Sequence, residues 1–163
     1  MRALTIPVVM ILTLTAWPHD AGAQNPNACK LLSAAEASSL LGAPVILRRQ
    51  EGNSSFATCV YGLPDPAKLA PSVQVSYGAW PDADTAHTRF AKRVQPGAKP
   101  SPLSTIIPVT GLGDEATIKQ SPSLQISSID IRQGTYVVSF GVMPNASDTA
   151  LKDIARRALT RLP

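Results

Sequence analysis

Two glycines and two acidic residues lie close together in the segment Gly111-Leu112-Gly113-Asp114-Glu115. Glycine tolerates unusual backbone angles and lets another group approach closely, while paired carboxylates can bind a cation or act as general acid and base. The alternative is a turn in which Asp114 accepts hydrogen bonds from backbone N–H groups. No Lys-Ser or Lys-Thr pair follows, which argues against a phosphate-binding loop. The candidate binding residues of this loop are Gly111, Gly113, Asp114 and Glu115.

A second group of polar side chains, Asp82, Asp84 and His87, falls within six residues. Asp84 and His87 would share one helix face, and carboxylate and imidazole groups are common metal ligands. A simpler interpretation makes Asp82 a helix cap, Asp84 an acidic residue of the first turn and His87 a surface residue. We prefer this second interpretation and predict neither a metal site nor a cofactor.

Three aromatic residues, Tyr61, Tyr77 and Trp80, are candidates for an apolar ligand cleft. The chain is only 5% aromatic, and scarce aromatic residues often belong to the core instead. Both interpretations stay open. Nucleophilic catalysis has little support, because the sequence has no Gly-x-Ser-x-Gly segment and His87 would be the single histidine of the exported chain.

The N-terminal residues have the layout of a secretory signal peptide. Arg2 precedes an apolar run from Ala3 to Ala16, and a polar region ends in the small-x-small site Ala21-Gly22-Ala23. The apolar run is short for a bilayer span, although an uncleaved anchor is the alternative. Removing 23 of 163 residues leaves 140, from Gln24 to Pro163. That length suits a single extracytoplasmic domain, unlipidated and either periplasmic or secreted.

The exported chain would keep 14 basic and 10 acidic residues, a formal charge of +4. The basic residues are scattered, and few aromatic residues lie between them to stack on bases. The charge therefore predicts solubility and weak attraction to anionic envelope surfaces rather than nucleic-acid binding. No later segment is long and apolar enough to cross a membrane, so we expect no stable membrane insertion after cleavage. We also expect the exported chain to be a monomer.

Cys29 and Cys59 are the only cysteines of the chain. In an exported protein two cysteines usually form a disulfide, and here only one pairing exists. Closing a loop of about 31 residues should contribute roughly 3–4 kcal/mol if the geometry is unstrained. A zinc pair would need further ligands, which the chain does not supply.

Local patterns predict three helices and a set of strands. A capping box at Ser33 and Glu36 begins a helix from Ala34 to Leu41, and Gly42 suits its end. A second helix should run from Ala83 to Val94, and Ser147 should cap a last one. The strand-like segments are Pro44 to Gln50, Phe56 to Tyr61, Ser72 to Tyr77, Thr105 to Val109, Ala116 to Lys119, Leu124 to Arg132 and Tyr136 to Met143.

The connections between the strands are short, which favours antiparallel pairing. We predict an α+β fold with two layers, in which a mostly antiparallel sheet of about six strands carries all three helices on one face. The element order would be α-β3-α-β3-α. Because the apolar residues change phase along Leu124 to Arg132, we expect a bulge near Ser127-Ser128.

Several short motifs form a recognisable set. They are Cys29-Lys-Leu-Leu32, Glu36-Ala37, Leu41-Gly42, Cys59-Val-Tyr61, the valine-alternating strand at Val73, and Gly111-Leu-Gly-Asp114 with Ala116. The set resembles secreted actinobacterial lipoproteins of unknown function that are related to the extracytoplasmic sensor domain of mycobacterial PknH-type kinases. The resemblance covers the chain from Cys29 to the last helix. The chain departs from the family in two ways: no lipidation cysteine follows the signal peptide, and the sequence has no kinase or transmembrane segment. The resemblance implies a binding or sensing module and carries over no catalytic residue.

The leading functional hypothesis is a non-enzymatic module that binds a small molecule, an envelope component or an envelope protein in a groove between sheet and helices. One alternative is an envelope hydrolase that uses Asp114 and Glu115. Another is an inhibitor of a foreign hydrolase that acts through a rigid loop from Gln95 to Ser104. We expect the functional surface opposite the disulfide, near Trp80 and the loop 111–115.

Overall fold

Residues 27–95 and 104–163 are described by a computed structural model of the chain. Within these ranges the protein has an α+β fold with a seven-stranded sheet, three α-helices and one disulfide. The predicted signal peptide at 1–23 and most of the proposed inhibitor loop from Gln95 to Ser104 lie outside the described residues.

The three helices are α1 (Ala34–Leu41), α2 (Ala83–Val94) and α3 (Asp148–Leu159), and short 3-10 turns occur at Ala28–Lys30 and Pro122–Leu124. The strands are β1 (Ile46–Gly52), β2 (Phe56–Gly62), β3 (Ser72–Ala79), β4 (Thr105–Val109), β5 (Glu115–Ser121), β6 (Ile126–Gln133) and β7 (Tyr136–Met143). Their order in the sheet is β1-β2-β3-β7-β6-β5-β4, with every neighbouring pair antiparallel. Two meanders, β1 to β3 and β4 to β7, therefore meet where β3 pairs with β7.

The main core lies on one face of the sheet, under α1 and α3. Its centre is a row of cross-strand neighbours, each with 0% exposure: Cys59, Val75, Phe140, Ile129 and Ile118. Helix α3 adds Leu151, Ile154 and two alanines to the same cluster. Burial of this continuous apolar face is the main stabilising contribution to the fold.

Helix α2 packs on the opposite face of the sheet. There Ala86 and Phe90 contact Val137 in a small apolar cluster of their own, with Trp80 at its edge. The predicted two-layer arrangement with all helices on one face is therefore wrong. An amphipathic helix has the same sequence pattern whichever face of a sheet it covers, so the pattern of α2 does not reveal its side.

Two further predictions about the sheet need correction. The described sheet has seven strands rather than about six, and four of them rather than three lie between α2 and α3, because the predicted strand-like segment Thr105–Val109 pairs with β5 as an edge strand. No bulge occurs at Ser127-Ser128, where the pairing of β6 is regular. Ile126 and Ile129 lie on opposite faces because they are three residues apart in a regularly alternating strand, and Leu124 belongs to the 3-10 turn before β6. The register shift of the sheet lies in β1, between Leu47 and Arg49.

The disulfide between Cys29 and Cys59 joins the first 3-10 turn to β2, with the two Cα atoms 5.3 Å apart. This confirms the predicted pairing. Such a bond indicates an oxidising, extracytoplasmic environment.

None of the helices in the described ranges is both long enough and apolar enough to cross a membrane.

Arg161 connects the end of α3 to the start of α1. Its guanidinium donates to both carboxylate oxygens of Glu36, at 2.7 and 2.8 Å, and to the carbonyl of Leu31 at 3.1 Å. Chiefly because of the hydrogen bond from Arg161, the pKa of Glu36 is lowered from 4.5 to about 2. The capping box adds to this effect, since the N–H and hydroxyl of Ser33 also donate to Glu36.

Folding lowers the pKa of Glu36, so this carboxylate stabilises the fold above pH 4.5 and loses its contribution as the pH falls toward about 2. We expect the free energy of unfolding of the wild type to fall more steeply over that interval than that of Glu36→Gln, as measured by urea denaturation at a series of pH values. The control Asp153→Asn, which removes an exposed ion pair with Arg156, should keep the wild-type slope. Parallel slopes for wild type and Glu36→Gln would contradict the prediction.

Candidate functional site

The three aromatic candidates lie on different faces of the sheet. Tyr61 is buried under the helices and donates its hydroxyl to the carbonyl of Leu32 at 2.5 Å. Tyr77 lies on the same face, where its ring stacks on Tyr136 at 5.7 Å and burial raises its pKa to about 12. Trp80 lies on the other face, beside α2. The sheet therefore separates Trp80 from the two tyrosines, and the three do not line one cleft.

The glycines of the loop 111–115 serve its packing against the sheet. Gly111 and Gly113 have φ angles of 72° and 61°, and between them Leu112 enters the main core. A Cβ atom on Gly113 would lie 2.5 Å from the carbonyl oxygen of Arg132. The group that approaches this glycine closely is thus the chain's own strand β6.

Asp114 and Glu115 hold neighbouring elements together through Arg132. Asp114 Oδ2 accepts hydrogen bonds from Arg132 Nη1 at 2.9 Å and from the backbone N–H of Gly134 at 2.7 Å. Glu115 Oε1 accepts one from Arg132 Nε and lies 2.8 Å from Nδ1 of His87 on α2. This cluster connects the loop before β5, the hairpin between β6 and β7, and α2.

The electrostatics of this cluster keep Glu115 ionised. Burial by itself raises the pKa of Glu115, but hydrogen bonds from His87 and Arg132 outweigh it and hold the pKa below its ordinary value. A carboxyl group that works as a general acid near neutral pH needs a raised pKa. The environment of Glu115 therefore suits an ion-pair partner better than an acid catalyst.

Asp82 and His87, two of the three polar residues considered as metal ligands, contact different parts of the protein. Asp82 caps α2 by accepting a hydrogen bond from the backbone N–H of Thr85 at 2.6 Å, which lowers its pKa. His87 contacts Glu115 instead of the two aspartates. In the parts of the chain that the structure describes, no three His, Cys, Asp or Glu side chains are grouped to hold a metal ion.

A continuous polar row crosses the face of the sheet opposite the disulfide. Its members are direct cross-strand neighbours on five strands: Thr58, Ser76, Ser139, Asp130 and Thr117. All five are buried, with exposures between 3% and 8%. The hydroxyl of Ser139 donates to Asp130 Oδ1, and Arg93 Nε on α2 donates to the same oxygen at 2.7 Å.

Next to this row lies a cavity of about 460 Å³, which we call the polar groove. Part of its floor is a second row of cross-strand neighbours: Gln74, Gly141, Ser128 and Lys119. Its apolar lining includes Val60, Ile126 and Met143. At Gly141 the floor is open, because a Cβ atom there would meet no other atom within 4 Å.

A second cavity, of about 340 Å³, adjoins the polar groove, and we call it the side compartment. The two cavities share Ser76, Ser139 and Arg93. Among the described residues that line them, the cations are Arg89, Lys92, Arg93 and Lys119, whereas Asp130 is the one carboxylate. The combined site is therefore electropositive and rich in hydroxyl groups, a composition that suits a polar anion.

Sequence reasoning located Trp80 but missed the polar groove. The alternation of Ser72, Gln74 and Ser76 in β3 has the pattern of a strand with one solvated face. A partial signal was the pair of short hydroxyl side chains, Ser72 and Ser76, on that face. What aligned the hydroxyls was the pairing of β3 with β7, which joins residues 57 to 71 positions apart.

No protein-family model matches the chain, and no curated protein matches it significantly. The resemblance to the sensor domain of PknH-type kinases stays a prediction.

Proposed function

We propose that this protein is a non-enzymatic, exported binding module whose polar groove holds an anionic small molecule or an anionic group of the cell envelope. The observation that carries the proposal is the buried row of hydroxyls and Asp130 beside a cavity rimmed by cations. We place the module in the periplasm or outside the cell, as a monomeric domain that begins near Gln24. A sensor-like role agrees with the resemblance to the PknH-type sensor domain.

The polar row supports a ligand site because buried polar groups are costly unless they are hydrogen-bonded. Thr58 Oγ1 and Ser76 Oγ lie 3.4 Å apart within the row, and Gln74 Nε2 of the second row donates to Ser76 Oγ at 3.2 Å. A sheet face that served stability alone would gain more from apolar side chains at these positions. The groove volume of about 460 Å³ lies within the usual range of small-molecule sites, about 300–1,000 Å³.

The charges around the groove support an anionic ligand. The Arg93 guanidinium already neutralises Asp130 through its Nε atom, in a pair whose carboxylate side chain is only 11% exposed. Lys119 adds a positive charge to the same cavity. A ligand carboxylate or phosphate would therefore enter a site whose described lining residues carry an excess of positive charge.

The carboxylates suggested for a hydrolase lie at another place on the same sheet face. Asp114 and Glu115 precede or begin β5 and are held by Arg132, and neither lines the polar groove. This separation of the carboxylates from the cavity is why we favour binding over catalysis.

Gly141→Phe tests the proposal by filling the polar groove. The new ring has open space at its Cβ position, so we expect the variant to fold and to lose ligand binding by about tenfold or more. The measurement is native mass spectrometry of purified protein after exposure to envelope extract and to a defined panel of sugar phosphates and uronic acids. Gln50→Phe is the control, because it places the same ring on the exposed edge strand β1, outside the groove.

The two variants separate groove binding from surface adsorption. A small molecule that wild type and Gln50→Phe retain and Gly141→Phe loses would support the groove as the site. Equal retention by all three proteins would show that the polar groove is not where the ligand binds.

A further inference from the structure

The apolar lining of the side compartment includes two aromatic side chains, Phe56 and Trp80. Phe56 and Val137 are cross-strand neighbours of Gly78 on either side, and the indole of Trp80 lies over Gly78. A Cβ atom at position 78 would come 3.2 Å from Trp80 Nε1, so glycine lets the indole lie close to the strand. The result is an apolar, partly aromatic surface inside the side compartment.

Helix α2 places three cations over this apolar surface. Arg89, Lys92 and Arg93 are spaced i, i+3 and i+4, which puts them on one side of the helix. The Arg89 guanidinium lies 4.8 Å from the centre of the Trp80 ring, a cation–π contact. Among the described residues that line the side compartment there is no carboxylate.

We infer that the side compartment binds the apolar part of an organic anion, so that the ligand of this protein is an amphipathic anion with a ring or short chain beside its acidic group. The inference rests on the proposed function, because the side compartment and the polar groove share the lining residues Ser76, Arg93 and Ser139. A wholly hydrophilic anion would leave the exposed surface of Phe56 and Trp80 wet, whereas an apolar group would remove it from water.

Trp80 gives this compartment its own spectroscopic reporter. The chain has two tryptophans, and Trp17 lies in the predicted signal peptide. In the exported chain from Gln24, tryptophan fluorescence therefore reports on Trp80 alone. A ligand that enters the side compartment should change the intensity or wavelength of this emission in a saturable way.

Three matched probes distinguish the chemistry: benzenesulfonate carries both features, methanesulfonate carries the anion alone, and benzyl alcohol carries the ring alone. We expect benzenesulfonate to change Trp80 emission with a dissociation constant about tenfold or more below those of the other two. In the double variant Arg89→Gln and Lys92→Gln, which keeps long polar side chains, the affinity for benzenesulfonate should fall about tenfold. The single variant Lys92→Gln should show a smaller loss. Near-UV circular dichroism checks that each variant is folded.

Two results would overturn the inference: equal binding of methanesulfonate and benzenesulfonate, or benzenesulfonate binding that neither variant weakens. Gly141→Phe separates this inference from the proposed function, because the added ring enters the polar groove and not the side compartment. If Gly141→Phe loses the envelope ligand while benzenesulfonate proves unselective, the proposed function stands and the amphipathic ligand does not. If benzenesulfonate is selective while envelope capture ignores Gly141→Phe, the side compartment binds amphipathic anions but the polar groove is not the ligand site.

Discussion

Replacing Phe140 with alanine is expected to lower the free energy of unfolding by about 3–5 kcal/mol. Phe140 has 0% exposure and lies in β7, with Val75 of β3 on one side and Ile129 of β6 on the other. The two meanders of the sheet meet where β3 pairs with β7, and the ring lies in the main core on the face under α1 and α3. Removing the ring would leave a cavity that its neighbours can fill only in part. Equilibrium urea denaturation of the oxidised protein measures the loss.

Phe56→Ala is the matched control for this prediction. Phe56 is 37% exposed and begins β2 on the opposite face of the sheet. The same change of side chain should therefore cost less than about 1 kcal/mol, since most partly exposed sites contribute little. Similar losses for the two variants would contradict the placement of Phe140 at the centre of the core.

Removing the disulfide should have the second largest effect, a loss of about 3–4 kcal/mol in the double variant Cys29→Ala and Cys59→Ala. The bond closes a sequence separation of 30 residues, so its loss gives the unfolded chain more conformational freedom. The folded state would lose the covalent tie between the first 3-10 turn and β2, although Tyr61 still donates its hydroxyl to the carbonyl of Leu32. Urea denaturation of the variant, compared with the oxidised wild type, measures the difference.

Reduced wild-type protein provides the control for the disulfide. Its stability should approach that of the double variant, because both lack the same covalent constraint. A double variant within about 1 kcal/mol of the oxidised wild type would show that the bridge adds little to the stability of this fold.

Short-range interactions made the helices predictable. Ser33 and Glu36 form the capping box, and Gly42 has a φ angle of 65° at the end of α1. Asp82 and Ser147 cap the other two helices. Each of these contacts joins residues only a few positions apart, so the residue types and their spacing contain the needed information. The face on which α2 packs was not predictable, because its apolar stripe specifies a partner surface without saying which one.

The backbone conformation of the loop 111–115 is likewise a local property, whereas the contacts of its side chains are long-range. The glycines of the loop 111–115 indicated unusual backbone angles, and Gly111 and Gly113 have positive φ angles. Only the tertiary structure shows that Arg132 forms ion pairs with both carboxylates of this loop.

The amino-acid sequence by itself determined the disulfide, since two cysteines allow one pairing, and the bounds of α1 and α2, since caps and apolar spacing are local. The position and lining of the polar groove follow only from the tertiary structure. Thr58, Ser76 and Ser139 are far apart along the chain and become neighbours through the register of three strands. Such a register depends on long-range packing of the whole sheet, because period-two alternation is equally compatible with many pairings of the same strands.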